Sequence, residues 1–424
     1  MTTTAAASNP DLAPEPEEEE KVTLGSIFRD YVTKVRSGDV GSLPAVLGLV
    51  VLVIVFASLR GETFTNQFNF ANLFNQSAGV MVIAMGLVFV LLLGEIDLSA
   101  GYTAGTAAAV LGIVATNHGW PWPLAIAACI LTGTFIGLCI GLLVSRLGIP
   151  SFVVTLAAFL GLQGVMLLII GEGGTIAYRN DRILALMNKN LPIWLGWTLA
   201  VILIVGYALV TFRSIAARKK AGLTSEPMLL WGLKTGGLAA IVIWVTYYLS
   251  LERSRNPALI SLKGVPIVVV ILVGLLISLT FLLSRTAWGR HVYAVGGNAE
   301  AARRSGINVK WVQLSCFMMC SSLAAVAGML IASRDNSVSP STGGSLTLLF
   351  AVGAAVIGGT SLFGGKGRIM DAVLGGLVIA VINNGMLQLD QPSGRVYIVT
   401  GLVLLLAASV DAISRRKARA SGRV

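Results

Sequence analysis

Charge is scarce in this 424-residue chain, with only 12% Asp, Glu, Lys and Arg. A soluble domain carries about 25%, so a surface of ordinary size could not be kept wet. Histidine is scarcer still: His118 and His291 fall in different loops of the apolar pattern and cannot cooperate in acid–base chemistry. Of the four cysteines, Cys316 and Cys320 share one helix face, yet no histidine or carboxylate accompanies them. All four fall within apolar runs, and this pair reads as small buried hydrophobes rather than metal ligands. No H-x-x-x-H, GxSxG or paired catalytic carboxylate occurs, so nothing supports an enzyme.

What is abundant is apolar length. Hydrophobic residues make up 55% of the chain, with 48 glycines and a mean hydropathy of +0.82. Runs such as 43–59, 80–93 and 266–283 are too many for one globular core. About 20 apolar residues cross a bilayer of roughly 30 Å. The chain therefore reads as an all-α, polytopic membrane bundle. That excludes a soluble enzyme and, despite a net charge of +11, a nucleic-acid binder.

Twelve spans are expected, over 43–59, 77–94, 100–117, 124–145, 152–170, 192–212, 235–251, 266–284, 311–332, 345–360, 371–387 and 396–413. An even number places both termini on one side. Of the 31 Lys and Arg, 22 then fall on that side, which the positive-inside bias makes cytoplasmic. Residues 1–21, with Glu17–Glu20, read as an acidic disordered tail, and 414–424 as a basic one. Between 22 and 37, Leu24, Ile27, Phe28, Tyr31 and Val35 recur at helical spacing opposite charged residues, the pattern of an interfacial amphipathic helix. The first apolar run starts only after Gly41, so no secretory leader is expected. Gly101/Gly105 and Gly133/Gly137/Gly141 repeat at intervals of four, which lets helices approach closely in lipid.

Three segments could carry function. The first, Gly94-Glu95-Ile96-Asp97-Leu98-Ser99-Ala100-Gly101, places two carboxylates near membrane depth, costly unless they cap, pair or face water. One reading is a turn in which Asp97 or Ser99 caps the next helix. The other is cation coupling by Glu95 and Asp97, although the adjoining sequence offers no basic partner. The second is the loop 284–310. Asn298 there suits an N-cap, Glu300 a first turn, Arg303 and Arg304 a last turn, and Gly306 a helix stop. The expectation is a short capped helix displaying small Ala301 and Ala302 for docking, against the alternative of a solvated basic loop. The third, Gly358–Gly367, approaches a phosphate-binding loop and fails. GxxxxGK[ST] needs glycine where Thr360 stands and Ser or Thr where Gly367 stands. It echoes the first segment in a G-x-x-(D/S)-L-x-x-G pattern that hints at an internal repeat. Within the spans themselves, Gln163, Asn383 and Asn384 are the polar side chains at useful depth. Each must face another helix or a wet path.

On these residues a resemblance stands out. Glu300-Ala301-Ala302-x-x-x-Gly306 resembles the EAA-type coupling loop of ATP-binding-cassette importer permeases. Arg285–Arg290, Ala294–Asn298, Ser305–Val309, Glu95–Ser99, Pro150–Leu156, Val356–Leu362 and Asp411 together resemble the branched permease family for monosaccharides. The likeness runs from about Ser77 to Ile413. Within that family, Glu95 and the additional basic loop and span between Arg213 and Leu251 resemble the xylose branch. Departures are the acidic tail, Lys366, and Asn383-Asn384 where an Asp-Asn pair is usual.

The resemblance implies a permease without a cofactor of its own. A cytoplasmic ATPase subunit would consume ATP and Mg²⁺, an extracellular sugar-binding protein would deliver the substrate, and a second permease copy would complete the unit in a prokaryotic plasma membrane. Glu300, Ala301, Ala302 and Gly306 would then couple to the ATPase. A cation-coupled secondary sugar transporter using Glu95 and Asp97, and a structural membrane scaffold, are the competing classes.

Overall fold

The computed structural model describes residues 41–420, apart from 224, 226, 255, 259 and 260, together with Gly25, Arg29 and Thr33. The acidic tail 1–21 lies outside the described residues, as does nearly all of 22–37. At the other end the backbone of 414–420 continues the last helix, and 421–424 lie outside.

The chain is all-α. In order come α1 (Leu43–Arg60), α2 (Glu62–Thr65), α3 (Gln67–Leu92), α4 (Ala100–Gly112, ending in a π turn at Ile113–Asn117), α5 (Trp122–Ser145) and α6 (Ser151–Ile170). Then follow β1 (Ile176–Ala177), α7 (Asp181–Asn188), α8 (Ile193–Lys220), α9 (Met228–Ser250), α10 (Ile267–Arg285), α11 (Ala287–Gly297), α12 (Ala299–Arg304) and α13 (Val309–Asp335). The last are β2 (Ser337–Val338), α14 (Ser345–Gly358), α15 (Ile369–Gln388) and α16 (Ser393–Ala420).

Proline punctuates this series. Pro121, Pro150, Pro192, Pro227 and Pro266 each stand immediately before a helix. There a fixed φ and a missing N–H cost nothing, whereas inside a span they would break it.

Ten described helices are long and apolar enough to cross a bilayer, which makes this a multi-pass membrane protein. All twelve expected segments are helical, but 100–117 and 345–360 give shorter elements. These are 13 residues of α-helix with a five-residue π turn, and 14 residues. Other boundaries also shift. α3 begins ten residues before the apolar run, because the Asn66 side chain caps it by accepting the Asn69 N–H at 2.8 Å. α8 carries Arg213, Arg218, Lys219 and Lys220 on helix rather than loop, and α9 already contains Lys234.

The core forms around α3 and α13, held against their neighbours by residues without side chains. A Cβ on Gly133 or Gly137 of α5 would strike the α13 carbonyls of Ser321 or Phe317 at 2.4 and 2.6 Å, and one on Gly328 of α13 would strike Ala104 of α4 at 1.9 Å. Real Cβ atoms do not approach so closely, so these helices meet backbone to backbone. In lipid, dispersion contact of this kind substitutes for the missing hydrophobic drive.

The chain between α13 and α14 is not helical. Val338 lies beside Gly112, Thr342 beside Gly105, and Gly343 beside Gly101. Residues 338–343 therefore run down the length of α4. β2 pairs antiparallel with β1 at the top of this descent, Ile176 opposite Val338.

Candidate functional site

The three segments singled out in the sequence meet at one end of the bundle. The turn after α3 and the loop after α14 touch directly: Gly365 N–H donates to Leu92 O at 2.9 Å, and Gly94 stands against Phe363. The helix α11 joins them, because a Cβ on Gly296 would strike Leu92 O, and Tyr293 Oη donates to Gly367 O at 2.7 Å. Burial, with the charge of Asp371 behind it, raises the pKa of that phenol, so it stays a donor. The loop resembling a nucleotide cradle thus spends its backbone inside the protein: Ser361 N–H donates to Lys366 O at 2.8 Å.

Within the first segment, Asp97 is fully buried. Its Oδ1 accepts the Ser99 N–H at 2.9 Å and the Ser99 hydroxyl at 2.6 Å, at the foot of α4. The Asp97 Oδ2 is buried without a hydrogen-bond partner among the described residues. Ser99 caps nothing with its own side chain; its hydroxyl is spent on Asp97. Gly94 takes φ +76°, which lets the chain reverse there, and Gly101 lies flat against the carbonyls of Gly343 and Gly344.

Glu95 points elsewhere. Its Oε1 accepts from Gln313 Nε2 at 3.2 Å, and it lines a cavity of about 600 Å³ together with Ser145, Asn308, Gln313, Arg303 and Lys310. The basic company absent from the adjoining sequence is thus supplied from the next functional segment, more than 200 residues away. Only the fold brings them together.

In the loop 284–310, α12 starts as its residues dictate. Asn298 accepts the Ala301 N–H at 2.9 Å, and Glu300 pairs with Arg303 and Arg304, both at 3.3 Å. Gly306, at φ +83°, ends the helix by donating to Arg303 O, and Ile307 N–H returns to Ala302 O. One expectation needs correcting. Ala302 is not displayed: it is 5% exposed and belongs to the hydrophobic core, whereas Ala301, Glu300, Arg303 and Arg304 face outward. On a one-and-a-half-turn helix, adjacent alanines point about 100° apart, so one must face the bundle.

The polar residues within the spans separate into different places. Asn384 is buried and fully engaged. Its Nδ2 donates to Asn69 Oδ1 at 2.9 Å and to Gln76 Oε1 at 3.3 Å, and its Oδ1 accepts from Gln388 at 3.0 Å. Asn69 in turn donates to Phe64 O at 2.7 Å. Asn383 is half-buried on the same helix, and Gln163 is half-buried on α6, away from that cluster. Asn69, Gln76 and Gln388 were missed because they precede or follow the apolar runs. The signal was present in the Asn- and Gln-rich stretch 66–76, which reads as loop until its helix cap is recognised.

No group of three or more His, Cys, Asp and Glu able to hold a metal exists among the described residues. At the opposite end of the bundle, the loop 251–266 holds Glu252 as a local anchor. Its carboxylate accepts from the N–H groups of Leu262, Ser254 and Arg253 and from the Ser261 hydroxyl, which lowers its pKa to about 2.

Residues 69–408 match the family described as "Branched-chain amino acid transport system / permease component". The chain is 34% identical to the xylose transport system permease protein XylH of Escherichia coli K12 over 372 residues, 88% of this chain and 92% of that one. It is 33% identical to XylH of Haemophilus influenzae over 384 residues, 91% and 99% of the two chains. The ribose import permease protein RbsC of Escherichia coli K12 shares 30% identity over 387 residues, 90% and 96%. No solved structure matches.

Proposed function

The chain belongs to this permease family, and from that premise we propose that it is the membrane-spanning subunit of an ATP-binding-cassette importer carrying a monosaccharide inward, D-xylose or a related pentose. Both termini lie in the cytoplasm of a prokaryotic cell, and the short helices α4 and α14 complete a twelve-segment bundle in the plasma membrane. A cytoplasmic ATPase consuming ATP and Mg²⁺, an external sugar-binding protein and a second permease copy complete the importer.

One observation carries this reading: the capped helix α12 leaves Glu300, Ala301, Arg303 and Arg304 exposed at one end of the bundle while Ala302 anchors it in the core. A chain whose glycine loop is committed to internal hydrogen bonds needs a partner to hydrolyse ATP, and this projection is a handle for one. Gly306, which stops the helix, fixes the angle at which the handle leaves.

Glu95 and Asp97 support this reading over cation coupling. Arg303 and Lys310 share the Glu95 cavity and repel a cation, while Asp97 is fully buried and holds the N–H and hydroxyl of Ser99. Asp97 is then a structural cap and Glu95 a wall of the cavity beneath α12. Asn384, with three side-chain partners, joins α3 to α15. Asn383 and Gln163 remain the candidates for contact with sugar.

The experiment is uptake of labelled xylose into vesicles holding the permease, its ATPase and sugar-loaded binding protein. Uptake that requires ATP and ignores proton and sodium gradients is expected. Uptake driven by an ion gradient without ATP would replace this reading with a secondary transporter.

A further inference from the structure

The segment between β2 and α14, Ser339-Pro340-Ser341-Thr342-Gly343-Gly344, has no counterpart among the sites considered above. It connects the outer end of α13 to the start of α14, and it does not stay at the surface. From Val338 beside Gly112 to Gly343 beside Gly101, it passes eleven residues of helix, a descent of about 16 Å at 1.5 Å per residue. A second measure agrees. Gly328 of α13 is level with Ala104, about 10 Å below the outer end of α13 at Asp335, and Gly101 lies a further turn down. Non-helical backbone therefore reaches deep into the roughly 30 Å apolar layer.

Such backbone is tolerated at that depth only where protein buries it or water reaches it; irregular chain does not face lipid. One side is buried by α4: Thr342, Gly343 and Gly344 are enclosed, and Gly343 lies against Gly101 O and Gly105 N. The other side is open. Ser341 and Ser345 are exposed on this chain and Ser339 is half-buried. The loop also uses its hydroxyls on itself only in part. Thr342 Oγ1 accepts the Ser339 N–H at 3.0 Å, and Ser339 and Ser341 share one bond at 2.9 Å.

Two further polar groups stand on the flank of α4. Tyr102 presents its hydroxyl toward Gly344 and its ring against Phe159 at 4.7 Å. One turn above Tyr102 on the same helix face, Thr106 is 4% exposed and its Oγ1 has no hydrogen-bond partner among the described residues. Gln163 lies between Phe159 and Met166 on α6, the two residues that meet this flank at Tyr102 and Gly105. A neutral sugar needs weak hydroxyl partners and no buried charge, and this strip supplies hydroxyls alone.

Resting on the importer reading above, the geometry points to residues Ser339–Ser345, flanked by Tyr102 and Thr106, as the hydroxyl-lined wall of the sugar route through the membrane. The open side of the strip faces water rather than lipid.

The test uses the complete complex in vesicles, with exposed Cys139 replaced by serine; Cys129, Cys316 and Cys320 are buried. Ser341→Cys and Ser345→Cys are compared with Leu160→Cys, exposed on the flank of α6. A charged, membrane-impermeant methanethiosulfonate should modify the first two and not the third. Modification should slow xylose uptake about tenfold, and sugar-loaded binding protein should change the modification rate. Labelling of Ser341→Cys only by an apolar maleimide would place the strip against lipid. Labelling by neither reagent would make it a packed contact, and labelling by the charged one with uptake unchanged would make it wet but off the route. Each of these overturns the proposal. Absence of ATP-driven uptake in the unlabelled parent complex would instead overturn the importer reading, since thiol access is read without transport.

Discussion

The hairpin α8–α9 and the pair α3–α13 are almost equally hydropathic, yet one is peripheral and the other is the core. Over an apolar window of 18 residues, mean hydropathy is 2.2 for α8 and 1.7 for α9, against 1.9 for α3 and 2.0 for α13. Few residues of the hairpin are buried, whereas most of α3 and α13 are. In a bilayer, apolar surface gains nothing by leaving lipid for protein, so hydropathy cannot sort helices into centre and edge. Small residues can. Gly79, Gly86 and Gly328 in the core pair lie against neighbouring helices, while Gly206, Gly232, Gly236 and Gly237 in the hairpin have open space where a Cβ would go. The hairpin is fastened instead by a few specific contacts. Its two helices are tied together by Trp231 Nε1, which donates to Thr211 Oγ1 at 2.9 Å, and it meets the core where Trp244 and Tyr248 pack on Phe70 of α3.

The comparison breaks most visibly at glycine. Gly328→Leu should abolish a monodisperse protein in detergent, since its first added carbon would overlap Ala104 O and neither backbone can yield. Gly236→Leu should leave yield and melting temperature unchanged. Size-exclusion profiles and melting curves of the two variants decide it. Equal behaviour would mean that close approach is not what selects the core.

A smaller effect separates the two alanines of α12. Ala302→Trp should destabilise by about 1–3 kcal/mol through overpacking, lowering the melting temperature of the isolated permease. Ala301→Trp should leave that temperature unchanged and uncouple ATP hydrolysis from uptake in the assembled complex. If Ala301→Trp transports normally, the outward face of α12 is solvated charge and no handle.

The smallest effect is expected in the loop after the hairpin. Glu252 has its pKa lowered to about 2 by hydrogen bonds to its ionised form, against about 4.3 in an unfolded chain. A depressed carboxylate contributes stability that is complete above the unfolded value and lost as pH falls through the folded one. Protection of residues 251–266 against proteolysis should therefore decline between about pH 4 and 2, and Glu252→Gln should remove that dependence. A decline unaltered by Glu252→Gln would assign it to other carboxylates.

The sequence by itself determined the class and most of the helices. Runs of about 20 apolar residues bounded by proline and glycine form helices in a bilayer, because lipid offers no partner for an unsatisfied backbone group. It also determined the local form of α12, because Asn298, Glu300 and Gly306 act within one or two turns. Tertiary structure alone decided the rest. Adjacent Ala301 and Ala302 look alike in the chain and differ only in which side meets the core. Glu95 acquired Arg303 and Lys310 across some 200 residues, and Asn69 and Gln76, on the stretch that Asn66 caps into helix, acquired Asn384 as their partner. The strip 339–345 reads as an ordinary serine-rich loop. Its depth is set by Gly101 and Gly105, whose missing side chains let a second backbone lie along α4, a close approach that becomes visible only when both partners are in place.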